Sequence, residues 1–366
     1  MTSTETIPLA SIRERVIDFH RDHALCDMIG LNLTHPRFVI ENVDLGQRHD
    51  ETCRGDFVKF KEWGLRLVQC KGGPVWYDPN YRSDWLRQVA QRTGREAEEM
   101  FLGWGVRQPT HLVLAMLDRF LLNVEANLAQ VHLIQRAADL EIAQAAGKVG
   151  LLMGLNSSTW FGDSPGVLRM FARLGLRHIT LAVSGRELGY DGYDETRSGG
   201  RLTALGVRLL HEMNACGILV DISHLNDVCS LDVIELSAKP VIASHSNPRT
   251  FSGSLRDIPD EVMRALAQSG GVLGITPPIS RPPGPPPTGA GPMLQVPRRE
   301  VAETVRLIQY AVDVMGIDGV GIGTHFNSAA LPWVTDGLLS AGFSTAETAK
   351  IMGGNYLRVV RQVLPA

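Results

Sequence analysis

Eight short apolar runs punctuate this chain, and stretches of helical periodicity separate them. The runs are Ala24–Asp27 (with an extension to Leu33 left open), Leu65–Cys70, Val149–Asn156, His178–Ser184, Ile218–His224, Val241–His245, Gly271–Thr276 and Gly319–His325. Most have the length and unbroken apolar character of parallel strands covered on both faces. Leu202–Cys216 places Leu205, Val207, Leu209, Leu210 and Met213 at helical spacing, and Ser164–Leu174 does the same with Val167, Leu168, Phe171 and Leu174. Glu261–Gln268 and Val301–Met315 behave similarly. Eight strands alternating with helices predict an α/β fold of the (β/α)8 barrel type, with an open doubly wound sheet as the alternative.

The 366 residues suit one large barrel or two ordinary domains. No linker or internal repeat divides them, so one domain spanning 1–366 is expected. Two segments break the rhythm. About residues 75–147, with a helix-like stretch from about His111 to Ala145, are more than one crossover needs and predict an extra helical excursion after the second strand. Pro277–Pro297 is too rich in proline for a helix or a central strand. It follows the seventh strand, which would hang it over the catalytic face as a surface loop or a stiff lid.

The net charge of −3, with no basic block, gives no support for nucleic-acid binding or for electrostatic attachment to a membrane. No run reaches the roughly 20 apolar residues of a membrane span. The first residues lack the basic and apolar regions of a secretory signal. Cys26, Cys53, Cys70, Cys216 and Cys229 are odd in number and lack CxxC spacing, which fits free thiols in a cytoplasmic protein. Cys26 and Cys70 fall in strands and read as small buried hydrophobes.

Three of the runs end in histidine: His224, His245 and His325. In a barrel the C-terminal strand ends converge on the face where chemistry is done, so three imidazoles there are candidate ligands of a metal ion. Each alone would read as a hydrogen-bonded core residue.

Longer motifs surround these histidines. Leu202–Asp227, Pro240–Arg249, Leu255–Asp260, Gly319–Gly323 and Gly353–Val360 follow in the order of the membrane (renal) dipeptidases of the amidohydrolase superfamily, and Phe19–Asp27 resembles their approach to the first strand. The resemblance covers nearly the whole chain. It implies a barrel with two zinc ions bridged by a carboxylate, a small-molecule dipeptide substrate, and a homodimer as one assembly state. It also marks departures. The family's first-strand His and Asp fall on Ile29 and Leu31, its bridging Glu on Asn156, its fourth-strand His on Val183 and its eighth-strand Asp on His325. His224 and His245 are retained as ligands of one metal. Arg256 matches the arginine that holds the substrate carboxylate, for which a planar guanidinium is suited.

Three readings follow. In the first, one divalent metal, zinc by preference, sits on His224, His245 and His325. Asn156 then donates a hydrogen bond, and Arg256 clamps a small amino-acid-like carboxylate or amide. In the second the barrel has no metal and is repurposed as a lyase, an isomerase or a ligand-binding pseudoenzyme, with His325 shuttling a proton beside Asp221 or Asn327. In the third a dinuclear centre recruits His20, His23 or His35. Trp160, Tyr190, Tyr193 and Asn327 are candidate pocket residues, with plain packing the alternative for Trp160.

Overall fold

The computed structural model describes residues 6–33, 38, 43–49, 55–72, 109–183, 185–197, 199–279 and 295–366. Outside them lie Cys53, His35, Ser184, most of the proline-rich segment and the first half of the expected helical excursion.

Every predicted run contains a strand, though several strands are shorter than the runs that hold them. The barrel is built from β2 (Leu25–Asn32), β3 (Leu65–Gly72), β5 (Val149–Asn156), β6 (His178–Thr180), β7 (Leu219–Asp221), β8 (Ile242–Ser246), β9 (Val272–Ile275) and β11 (Val320–Ile322). They are hydrogen-bonded in that order, all in parallel pairs. This is a nearly closed (β/α)8 barrel ringed by helices. Its seam lies between β2 and β11. There Phe326 N donates to Ile29 O at 2.8 Å, and the Asp27 carboxylate accepts from Thr324 N at 3.0 Å and from the Thr324 and Ser328 hydroxyls.

Helices cover the strands as expected: Pro165–Arg173, Ala204–Cys216, Asp260–Gln268 and Arg298–Met315. Serine, threonine and asparagine side chains cap several of them. Ser164 accepts from Val167 N and Thr203 from Gly206 N. Such caps satisfy donors that the first helical turn cannot. The expected excursion is not a single helical stretch. Helices Pro109–Ala126 and Ala138–Ala145 flank a short strand, β4 (Val131–Leu133), that adds alongside β5. The end of the proline-rich segment forms β10 (Gln295–Pro297), which pairs antiparallel with β1 (Thr6–Pro8) outside the barrel.

Strand alternation sorts the side chains into two sets. Val68, Cys70, Leu151, Met153, Ile179, Val220 and Ala243 face the helices. The intervening Leu67, Leu152, Leu219, Ile242 and Val272 form a second apolar cluster with Tyr356, Val359 and Val360 of the helix Asn355–Val363. Continuing two residues at a time from that layer, the same set becomes polar: Gln69 then Lys71 on β3, and Asp221, Ser244 and Ser246 on β7 and β8. Two glycines make room there. A Cβ on Gly274 would lie 2.2 Å from Ser244 O, and one on Gly323 would lie 1.8 Å from it.

Candidate active site

His224 lies three residues past the end of β7 and adopts a left-handed backbone, φ 74°. Ser157 (78°), His325 (53°) and Phe326 (69°) do the same after β5 and β11. Non-glycine residues seldom hold such angles, and they concentrate where a fold re-aims side chains for function. Here all four fall just past the C-terminal strand ends.

The structure brings His224 and His245 together, Nε2 to Nε2 at 3.0 Å. Arg256 reaches in beside them. Its Nη2 lies 3.1 Å from His224 Nε2 and donates to His245 O at 2.8 Å, while Nη1 donates to Ser246 Oγ at 2.8 Å. The arginine expected to contact substrate is therefore at the imidazole pair, reaching in from the turn between helices Arg249–Ser252 and Asp260–Gln268. Burial first, then the positive charges of Arg256 and Lys71, hold both imidazoles well below their ordinary pKa. Both are neutral at pH 7, and each presents at most one ring hydrogen. His224 Nδ1 is buried with no hydrogen-bond partner.

His325 is solvent-exposed and stacks on His245, ring centroids 5.4 Å apart. Among the described residues no three His, Cys, Asp or Glu side chains are grouped so as to hold one metal ion. Two imidazoles converge, and the third lies face-on against one of them.

Other candidates fall in mixed places. Asn156 ends β5, with its carbonyl accepting from Trp160 Nε1. Trp160 is buried in the helix-facing core, as the packing alternative has it. Tyr190 is only 1% exposed, and its hydroxyl points to Gly206 O at 3.4 Å. The ring near the site belongs instead to Tyr193, whose centroid is 5.9 Å from that of His224 and whose N–H donates to His224 O. Asn327 is buried, donates to Ile279 O at 3.2 Å and leaves Oδ1 without a partner. Ile29 and Leu31 are buried in β2. His20 and His23 precede β2, at the end of the barrel opposite the mouth, and His20 bonds to Thr335 Oγ1 at 2.9 Å.

The sequence reading missed a polar column inside the barrel. Lys71 Nζ donates to Asp221 Oδ2 at 2.9 Å and to Ser244 Oγ at 3.2 Å. Asp221 Oδ2 also receives Thr180 Oγ1 at 2.7 Å, Ser244 Oγ at 2.6 Å and His178 Nε2 at 3.2 Å. Behind His178, Gln69 Nε2 lies 2.8 Å from Nδ1, and Tyr356 OH donates to Gln69 Oε1 at 3.1 Å. Burial would push the Asp221 carboxyl up. The Lys71 ammonium, aided by His178, outweighs it and holds the carboxyl well below its usual range. Asp221 is thus committed to Lys71 and not to His325. A signal was present in the sequence: Gln69 and Lys71 follow Leu67 at i+2 spacing on one face of a mostly apolar strand, where a buried charge requires a partner.

Solved structures with this architecture include a probable dipeptidase, PvdM, of Pseudomonas aeruginosa (20% identity, TM-score 0.73, covering 97% of this chain and 98% of that one). A metallo peptidase of Rhodobacter sphaeroides, solved with a phosphinate mimic of the dipeptide L-Ala-D-Ala, is similar to the same extent (21%, TM-score 0.72, 93% and 99%). At these identities the likeness establishes the fold, a (β/α)8 barrel. Residues 81–365 match the family model of membrane dipeptidase, peptidase family M19, and the chain belongs to that family. The dipeptidase tcpJ of Claviceps purpurea is 30% identical over 318 residues, 81% of this chain. The chain spans 68% of that relative's length and about half of the dipeptidase 3 proteins of mouse and rat.

Proposed function

We propose that this chain is a dipeptidase-like hydrolase of small amino-acid-like amides with a free carboxylate, working with one divalent metal, zinc by preference, in place of a dinuclear centre. The observation that carries this reading is the 3.0 Å approach of two neutral imidazole Nε2 atoms at the barrel mouth. Two such nitrogens suit a shared Lewis acid. A dinuclear centre fits poorly. Ile29 and Leu31 have no donor atoms, and the Asp27 carboxylate accepts from Ile29 N, Thr324 N, Thr324 Oγ1 and Ser328 Oγ.

When bound to His224 and His245, the metal would supply a polarised carbonyl or an acidified water. The remaining roles belong to side chains. Arg256 gives up its contact with His224 and turns that N–H to the substrate carboxylate. Asn156, neutral at the end of β5, donates to the substrate amide. His325 at the rim moves a proton between the site and solvent. The unpaired buried thiols of Cys26, Cys70 and Cys229 support a reducing, cytoplasmic setting.

A second reading has its own observation. Arg256 Nη2 already lies 3.1 Å from His224 Nε2, and the Lys71 ammonium stands nearby, so the site holds two fixed cations that could polarise a ligand without metal. Metal-replete protein assayed on N-acyl amino acids and dipeptides, with and without chelator, separates the two. Chelator-sensitive hydrolysis supports the first, and hydrolysis or ligand binding indifferent to chelator supports the second.

A further inference from the structure

We propose that Lys71 is a positioning residue that sets which ring nitrogen of His245 faces the barrel mouth. Asp221 Oδ1 accepts from the backbone N–H groups of Ser223 and Ser244, both at 2.9 Å. Oδ2 accepts from Lys71 Nζ and Thr180 Oγ1. Beside the ammonium the carboxylate keeps no proton of its own. The 2.6 Å contact between Ser244 Oγ and Asp221 Oδ2 therefore contains the serine hydrogen. Ser244 Oγ is left as an acceptor, and Lys71 donates to it as well. His245 Nδ1 lies 2.7 Å from that oxygen and has to donate. An imidazole with its hydrogen on Nδ1 shows a bare lone pair at Nε2, the nitrogen that faces His224. The Tyr356–Gln69–His178 chain closes the far side of the carboxylate with donors that point the same way.

Removing the ammonium reverses the order. A buried carboxyl with no cation takes up a proton and donates it to Ser244 Oγ. The serine hydrogen then turns to His245 Nδ1, the ring hydrogen moves to Nε2, and the lone pair leaves the mouth. This relay is that of the metal-free site, where no ion holds His245 Nε2 and His224 Nε2–H donates to its lone pair, so it stands apart from the functional reading above.

The test is long-range 1H–15N correlation on chelator-treated, imidazole-labelled protein at neutral pH, with His245→Gln to assign the signals. The wild type should show a pyrrole-type Nδ1 and a pyridine-type Nε2 at His245. Lys71→Met should exchange them. Should that variant fail to fold, Lys71→Met/Asp221→Asn decides. It carries neither charge, and the side-chain amide introduced at position 221 donates to Ser244 in place of Oδ2, so the same exchange is expected. A pyridine-type Nδ1 in the wild type, or an unchanged tautomer in a folded variant, overturns the proposal.

Discussion

Lys71 and Asp221, on β3 and β7, form an ion pair 2.9 Å long with neither side chain exposed to solvent. Charges so placed are costly to desolvate, and breaking one side of such a pair leaves the other stranded. Lys71→Met should therefore lower stability by about 3–5 kcal/mol. Lys71→Met/Asp221→Asn should recover much of that loss, since no lone charge remains. Urea unfolding of the three proteins checks this, and equal losses in the single and double variants would contradict it.

Arg256 is the group expected to separate binding from turnover. Its guanidinium makes charge-assisted contacts worth about 1.5–3 kcal/mol each to a carboxylate. Arg256→Lys should raise KM for carboxylate substrates by about 10- to 100-fold. Substrates amidated at that carboxylate should be indifferent to the change. Steady-state kinetics on matched free-acid and amide substrates decides the point.

Acid should weaken the fold before it reaches the usual carboxylate range. Burial lowers His178 and His20 from 6.5 to about 4. A folded pKa below the unfolded one means that the unfolded chain binds these protons first as pH falls. Their contribution is complete above pH 6.5 and is lost between there and about pH 4, by about 3 kcal/mol for each histidine. Urea midpoints measured from pH 7 to pH 4.5 should fall steadily, and less steeply in His20→Asn. A flat profile would count against the burial argument.

Gly323 keeps β11 close to the backbone that carries Ser244 and His245. A Cβ there would lie 1.8 Å from Ser244 O, so Gly323→Ala has to displace that strand. Overpacking of this kind costs about 1–3 kcal/mol. Because Ser244 also anchors His245 Nδ1, activity should fall more than stability alone explains. Thermal denaturation set beside kcat measures both.

Most of the fold was legible because the barrel's strands are apolar on both faces and its helices are periodic, the two patterns that sequence displays most directly. The His224–His245 pair was legible for a related reason, since strand ends in a parallel barrel share one face. The polar column was not read, because Gln69, Lys71 and Tyr356 gain meaning only when strands distant in sequence close around one axis. Tyr190 and Tyr193 lie three residues apart in one loop, and only the fold shows that the first is buried and the second packs against His224. Likewise His325 has the strand-end position of a ligand, but its left-handed backbone leaves the ring exposed and face-on to His245.

The central claim is that His224 and His245 present their Nε2 atoms to one metal ion. Calorimetric titration of chelator-treated protein with Zn2+, beside His224→Ala and His245→Ala, tests it most directly. The account predicts one equivalent bound by the wild type and none by either variant. Two equivalents, or no zinc bound by a folded wild type, would contradict it.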